Sequence, residues 1–321
     1  MTNNKIETLQ SRKYKSGFVP PEEQIMFTIN NKTIGCLSSF VTFQGMPKNG
    51  KSLFITSAIA SAYCHHDIFG MKLNFPNDRK RLCFVDTESS DFDFYKTLER
   101  IRKQMYSDFI PHNLDAYCFR EDAPKDILEM IEIYLEEHSD CSVLVIDGIL
   151  DLISDFNNIE MSFNLIQWLK RITKKYQLLI LCVLHLGKST AKNSVGHIGS
   201  YLDRKSQSVL TIEKNKERNT IELSPAFLRS TDDFDTISIQ YSGNQWIQIQ
   251  SESENTNTNI HGIDKAHLLF KILLEPKTYN NLLNDLCEAI GKGQTTGKKI
   301  IKQWIADGTI YKVDDKYKKR G

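Results

Sequence analysis

One octapeptide limits what this chain can fold into more than any other feature. Residues 45–52 read "GMPKNGKS" and match G-x-x-x-x-G-K-[S/T], with Gly45, Gly50, Lys51 and Ser52 at the fixed positions. The spacing has a physical purpose. Glycines let successive backbone N–H groups curl around phosphate oxygens, and a helix that follows adds its positive N-terminal end. Lys51 would reach the β- and γ-phosphates, and the Ser52 hydroxyl would take a Mg²⁺ ion. The flanks agree, since "FVTF" before the loop is strand-like and "SLFITSAIASA" after it is helical. The expected nucleotide contacts are therefore Gly45, Met46, Pro47, Lys48, Asn49, Gly50, Lys51, Ser52 and Leu53.

Apolar runs bounded by polar turns recur from residue 35 to residue 240: "SSFVTFQ", "RLCFVDT", "SVLVIDG", "LLILCVLHL", "SVLTIEK", "TIELSPAF" and "TISIQYS". Helical periodicity fills gaps between them, as in "DILEMIEIYLEEH" and "FNLIQWLKRITKKY". Strands apolar throughout and separated by helices belong to a mostly parallel sheet covered on both faces, a doubly wound α/β domain.

Two strand ends carry acids. In "CSVLVIDGILDL" Asp147 closes an apolar run where a strand would emerge beside the phosphate loop, the position of a carboxylate that holds Mg²⁺ through water. Capping a following helix is the plainer use of Asp147, and Asp151 reads as a cap or a supporting residue. In "RLCFVDTESSD" Glu88 suits a carboxylate that orients and deprotonates an attacking water, at the end of a strand expected beside the phosphate-loop strand. Asp86 competes for that role, and a plain surface acid is the bland alternative.

The totals set outer limits. With 321 residues, 40% hydrophobic and 25% charged, the chain suits a soluble globular protein with one large core, or with a core plus a small accessory domain. No run of about 18 apolar residues is present, and the first residues lack the apolar segment of a secretory signal. Seven scattered cysteines (36, 64, 83, 118, 141, 182 and 287) form no C-x-x-C pair, and most sit in apolar runs as reduced core residues would. A cytoplasmic protein is expected.

Net charge is uneven. Residues 261–321 hold 12 Lys/Arg against 7 Asp/Glu, a local +5, whereas the remainder carries −4. A basic end on a near-neutral body suits a nucleic-acid contact, with a solvated charged face as the alternative. The polar stretch "QSESENTNTNIHG" (250–262) reads as a linker. Beyond it, "DKAHLLFKILLE", "TYNNLLNDLCEAIG" and "TTGKKIIKQWIADG" are helical patterns, and "TIYKVDDKYKK" alternates like a hairpin turning at Asp314-Asp315. Three helices and a hairpin outline a winged helix-turn-helix. Ile301 and Trp304 would face its core, with Thr295, Thr296, Lys298, Lys299 and Lys302 on the recognition helix and Lys312, Lys316, Lys318, Lys319 and Arg320 on the wing. A winged helix used for protein contact or ring assembly is the competing reading. The expected domains are an N-terminal tail (1–20), an ATPase domain (21–249), the linker (250–262) and the winged helix (263–321).

Taken together, "GMPKNGKS", "FVDTESS", "LVIDGILDL" and "LCVLHLGKS" resemble the RecA-like ATPases, and more closely the RepA-type hexameric helicases of plasmids and mobilisable elements. The resemblance covers roughly residues 20–245. It implies a RecA-like fold, ATP and Mg²⁺ as cofactors, a homo-oligomeric ring with ATP between subunits, and DNA as partner: single-stranded in channel loops, duplex at the winged helix. The channel loops would lie at 154–162 and 187–200. It also implies that His185, at the end of "LLILCVLHL", senses the γ-phosphate; a hydrogen-bonded strand-end His is the alternative. Relatives place Lys-x-Arg near "LTIEKNKERN" to reach a neighbouring subunit's ATP, whereas this chain has Lys214 and Lys216, with Arg218 two residues on. Lysine lacks arginine's planar fork, and a solvated lysine-rich turn is the other reading. The expected function is an ATP-hydrolysing RepA/DnaB-like DNA helicase or translocase in replication or mobilisation of a genetic element. An ATP-dependent DNA-binding initiator or switch without unwinding is the alternative. A small-molecule kinase fits poorly with the linker, the basic tail and the Asp-Thr-Glu strand end.

Overall fold

A computed structural model describes residues 2–187, 196–242, 245–249, 272–273, 275–290, 293–306 and 309–319. Its first element is a helix, α1 (Thr2–Ser11), within the stretch expected as a tail, and its Ile6 and Leu9 are exposed. A short antiparallel sheet follows, formed by β1 (Ile25–Ile29), β2 (Lys32–Cys36) and β4 (Met71–Leu73), in the order β2-β1-β4.

The main sheet has nine strands among the described residues. They are β3 (Phe40–Gly45), β5 (Arg81–Asp86), β6 (Leu114–Cys118), β7 (Cys141–Asp147), β8 (Leu179–His185), β9 (Ser208–Asn215), β10 (Thr220–Leu228), β11 (Ile237–Ser242) and β12 (Gln245–Ile249). Their order is β12-β11-β10-β9-β3-β8-β7-β5-β6. From β9 to β6 every pairing is parallel, whereas β9 to β12 form an antiparallel extension. The sheet is thus mostly parallel, as expected.

Helices cover both faces, and the strand residues alternate accordingly. Leu82 and Phe84 of β5 join Phe43, Phe54 and Ile59 in one apolar layer. Cys83 and Val85 join Ile131, Leu165 and Leu169 in the other. The first layer holds α2 (Lys51–Ser61) and α3 (Asp91–Gln104); the second holds α4 (Pro124–Glu137), α5 (Ile159–Lys175) and α6 (Gly196–Lys205). Local chemistry sets the helix starts. The Ser90 hydroxyl accepts from Asp93 N–H at the head of α3, and Asn158 Oδ1 accepts from Met161 N–H at the head of α5. All seven cysteines are free. No helix among the described residues is long and apolar enough to cross a membrane.

Two expectations change here. The strand bearing Glu88 is not beside the phosphate-loop strand, because β8 and β7 lie between β3 and β5. Residues 196–200, expected within a loop, form the first turn of α6.

Near the C-terminus, α7 (Tyr279–Ile290) and α8 (Gln294–Ala306) pack with a hairpin of β13 (Ile310–Val313) and β14 (Lys316–Lys319). Asp314 and Asp315 form its turn, both at positive φ. Ile301 and Trp304 are buried there, whereas Lys298, Lys299 and Lys302 are exposed. The linker, most of "DKAHLLFKILLE" and Arg320 lie outside the described residues.

Candidate functional site

Every parallel strand delivers its carboxyl end to one edge of the sheet. Gly45 pairs in register with His185, and Asp86 with Asp147. The crossover from β3 leads towards β5, whereas that from β8 passes β3 to reach β9. The crevice between β3 and β8 is therefore a topological switch point, where open α/β sheets bind ligands.

The loop after β3 is backed by the antiparallel extension. A Cβ on Gly45 would stand 2.3 Å from the carbonyl oxygen of Ile212 on β9. Gly50 has φ +88°, and a Cβ there would lie 2.7 Å from Ile221 Cδ1 on β10. Pro47 and Lys48 are exposed, Met46 and Asn49 are half-buried, and Leu53 is buried in the core. Glycine at 45 thus gives the strand end its room, and glycine at 50 allows the turn into α2.

Lys51 is only 4% exposed, and its ammonium donates to Gly45 O at 2.7 Å and Met46 O at 2.8 Å. Burial pushes its pKa down to about 8, against the opposing pull of Asp147 and Glu88. Ser52 is exposed, and its Oγ donates to Asp147 Oδ2 at 3.4 Å. Asp147 is buried, and that burial, reinforced by Asp86 and Glu88, pushes its carboxyl up to about 7. Ser52 and Asp147 thus converge as a Mg²⁺ site would require. The described residues hold no cluster of three or more His, Cys, Asp or Glu side chains suited to a metal. Mg²⁺ usually keeps waters and uses substrate phosphates alongside one or two protein ligands, a role open to Ser52 and Asp147.

Glu88 meets His185 over the end of β7, Nε2 lying 2.8 Å from Oε1. That hydrogen bond is the main cause that holds the Glu88 carboxyl below the usual range. Gly148 closes the pair from behind, since a Cβ there would lie 2.6 Å from Glu88 Oε1. Asp86 is differently employed. Its Oδ1 accepts from the N–H groups of Glu88 and Ser89 at 2.9 and 2.8 Å, which fixes the turn that presents Glu88.

Sequence reading missed Thr87. Its Oγ1 accepts from Gly148 N–H at 2.9 Å and lies 2.8 Å from Asp151 Oδ2, tying the ends of β5 and β7 together. Asp151 is held by this contact, and its burial raises its pKa. Ile212 and Ile221 were missed as well, and no local signal marks them. Lys214, near the end of β9, and Lys216, in the β9–β10 turn, are exposed on the same sheet edge as the phosphate loop. Of the expected channel loops, 188–195 lie outside the described residues; Phe156 and Asn157 pack against Gly196.

The family model for an AAA domain matches residues 33–191. That span runs from β2 past the end of β8 and includes the phosphate loop, Glu88, Asp147 and His185. Among solved structures, the chain is similar to one described as an ATPase domain, at 11% identity and a TM-score of 0.46. That likeness covers 66% of this chain and 85% of the other. No curated protein matches.

Proposed function

We propose that this chain is an ATP-hydrolysing, DNA-translocating ATPase of the RepA/DnaB-like helicase type, serving replication or mobilisation of a genetic element. The observation that carries the reading is the convergence of Lys51, Ser52, Asp147, Glu88 and His185 on the β3/β8 crevice. Residues 45–53 would cradle the triphosphate, with Lys51 leaving its two loop carbonyls for phosphate oxygens. Ser52 and Asp147 would hold Mg²⁺, which neutralises phosphate charge when bound. Glu88, kept ionised by His185, would orient and deprotonate the attacking water. His185 stands in register with Gly45, so it would feel the γ-phosphate and Glu88 together.

The domains at 1–20, 21–249, 250–262 and 263–321, a hexameric ring, and a winged helix that touches duplex belong to the same proposal. The exposed Lys298, Lys299 and Lys302 on α8 support the last part through charge. Lys214 and Lys216 would approach the neighbouring subunit's nucleotide from the β9–β10 turn. A forked-duplex unwinding assay with Mg²⁺-ATP tests the reading. The motor displaces a strand and loses that activity in Lys51→Ala; binding of duplex with no displacement would instead support an ATP-dependent switch.

A further inference from the structure

The outer face of α5 and α6 combines two features that the nucleotide site does not use. Phe163 is 44% exposed, and its ring meets that of Tyr201 edge-on at 6.2 Å. The exposed Arg204 places its guanidinium 5.2 Å from the Tyr201 ring centre. Along α5 from that aromatic pair, Gln167, Lys170 and Lys174 follow Phe163 at helical spacing, and all are exposed. At 1.5 Å per residue, the row is about 17 Å long. Arg12 borders the same shallow recess as Lys170, Arg171, Lys174 and Lys175. Glu132 neutralises Arg171 and Glu136 neutralises Lys175. Among the described residues, no ion pair engages Arg12, Lys170 or Lys174.

We propose that this face is a track for single-stranded nucleic acid, with the Phe163–Tyr201 pair stacking on a base and Lys170, Lys174 and Arg12 contacting backbone phosphates. Exposed rings beside an unneutralised basic row are the two components of sequence-tolerant strand binding. A duplex hides its base faces and would leave the rings idle, and an acidic peptide would use the lysines without them. The proposal rests on the nucleic-acid reading above and extends it from the loops expected at 154–162 and 187–200 onto the helices that carry Phe163 and Tyr201.

Fluorescence anisotropy of the full chain, with a non-hydrolysable ATP analogue, tests it on three labelled probes: a thymidine 20-mer, an abasic 20-mer and a duplex 20-mer. Phe163→Ala/Tyr201→Ala weakens binding of the thymidine strand about tenfold or more and leaves the abasic strand unchanged. Lys170→Ala/Lys174→Ala weakens both single strands and lowers the slope of log affinity against log salt by about 1.4. Basal ATP hydrolysis, measured without nucleic acid, stays within about twofold of wild type in both variants, which shows the fold intact. Wild-type affinity for the thymidine strand in both variants overturns the track and leaves the nucleic-acid reading standing, as does a preference for the duplex that these substitutions abolish. If the unmodified chain binds none of the three probes, the nucleic-acid reading itself fails.

Discussion

His185 and Glu88 are 97 residues apart in sequence, yet His185 Nε2 stands 2.8 Å from Glu88 Oε1 at the edge where β8 and β5 end. The imidazole holds the Glu88 carboxyl below the usual carboxylate range. Removing the ring as His185→Ala takes away the leading cause of the lowered Glu88 pKa, so that pKa rises. A base must be ionised to act, and the acid limb of the pH–rate profile therefore moves to higher pH. Steady-state phosphate release from pH 4 to 8 checks this, and an unmoved limb would show that Glu88 is not the base.

Asp147 yields a stability prediction whose sign is fixed. Its folded pKa, pushed up to about 7, lies above the unfolded value of about 3.9. Between those values the folded state binds more protons than the unfolded state, so stability falls as pH rises through that window. Asp147→Asn removes the penalty. In urea denaturation without Mg²⁺, the variant should gain about 1–3 kcal/mol on wild type at pH 7.5 and show little difference at pH 4.

Gly45→Ala would drive a methyl group to within 2.3 Å of the Ile212 carbonyl oxygen, a backbone atom that cannot swing aside. The end of β3 must then separate from β9. Calorimetry should show ATP affinity lowered at least tenfold, with a loss of about 1–3 kcal/mol in stability.

Away from the site, Arg79 donates to the carbonyls of Ser139, Cys141, Tyr176 and Gln177, joining the start of β7 to the turn between α5 and β8. Lysine cannot reproduce such a fork. Arg79→Lys should therefore cost about 1–3 kcal/mol in urea denaturation, with nucleotide affinity nearly unchanged.

The phosphate loop was legible because its chemistry fixes both residue type and spacing over eight positions. The places of Asp86 and Asp147 at strand ends were legible, since a buried strand reads as continuous hydrophobicity up to the sheet edge, and Glu88 follows two residues beyond Asp86. Strand order was not, because the crossovers that insert β7 and β8 between β3 and β5 leave no local trace. The antiparallel extension could have been inferred. Only residues 216–219 separate β9 from β10, and a parallel pair needs a crossover of about a dozen residues or more. Thr87, Ile212 and Ile221 act on groups far along the chain, so nothing around them in sequence announces their roles.

Calorimetric titration of the purified chain with Mg²⁺-ATP, alongside Lys51→Ala, tests the central claim most directly. The account predicts saturable one-to-one binding in the wild type, weakened at least tenfold in the variant. Absence of binding to the wild type, or equal binding by both proteins, would contradict it.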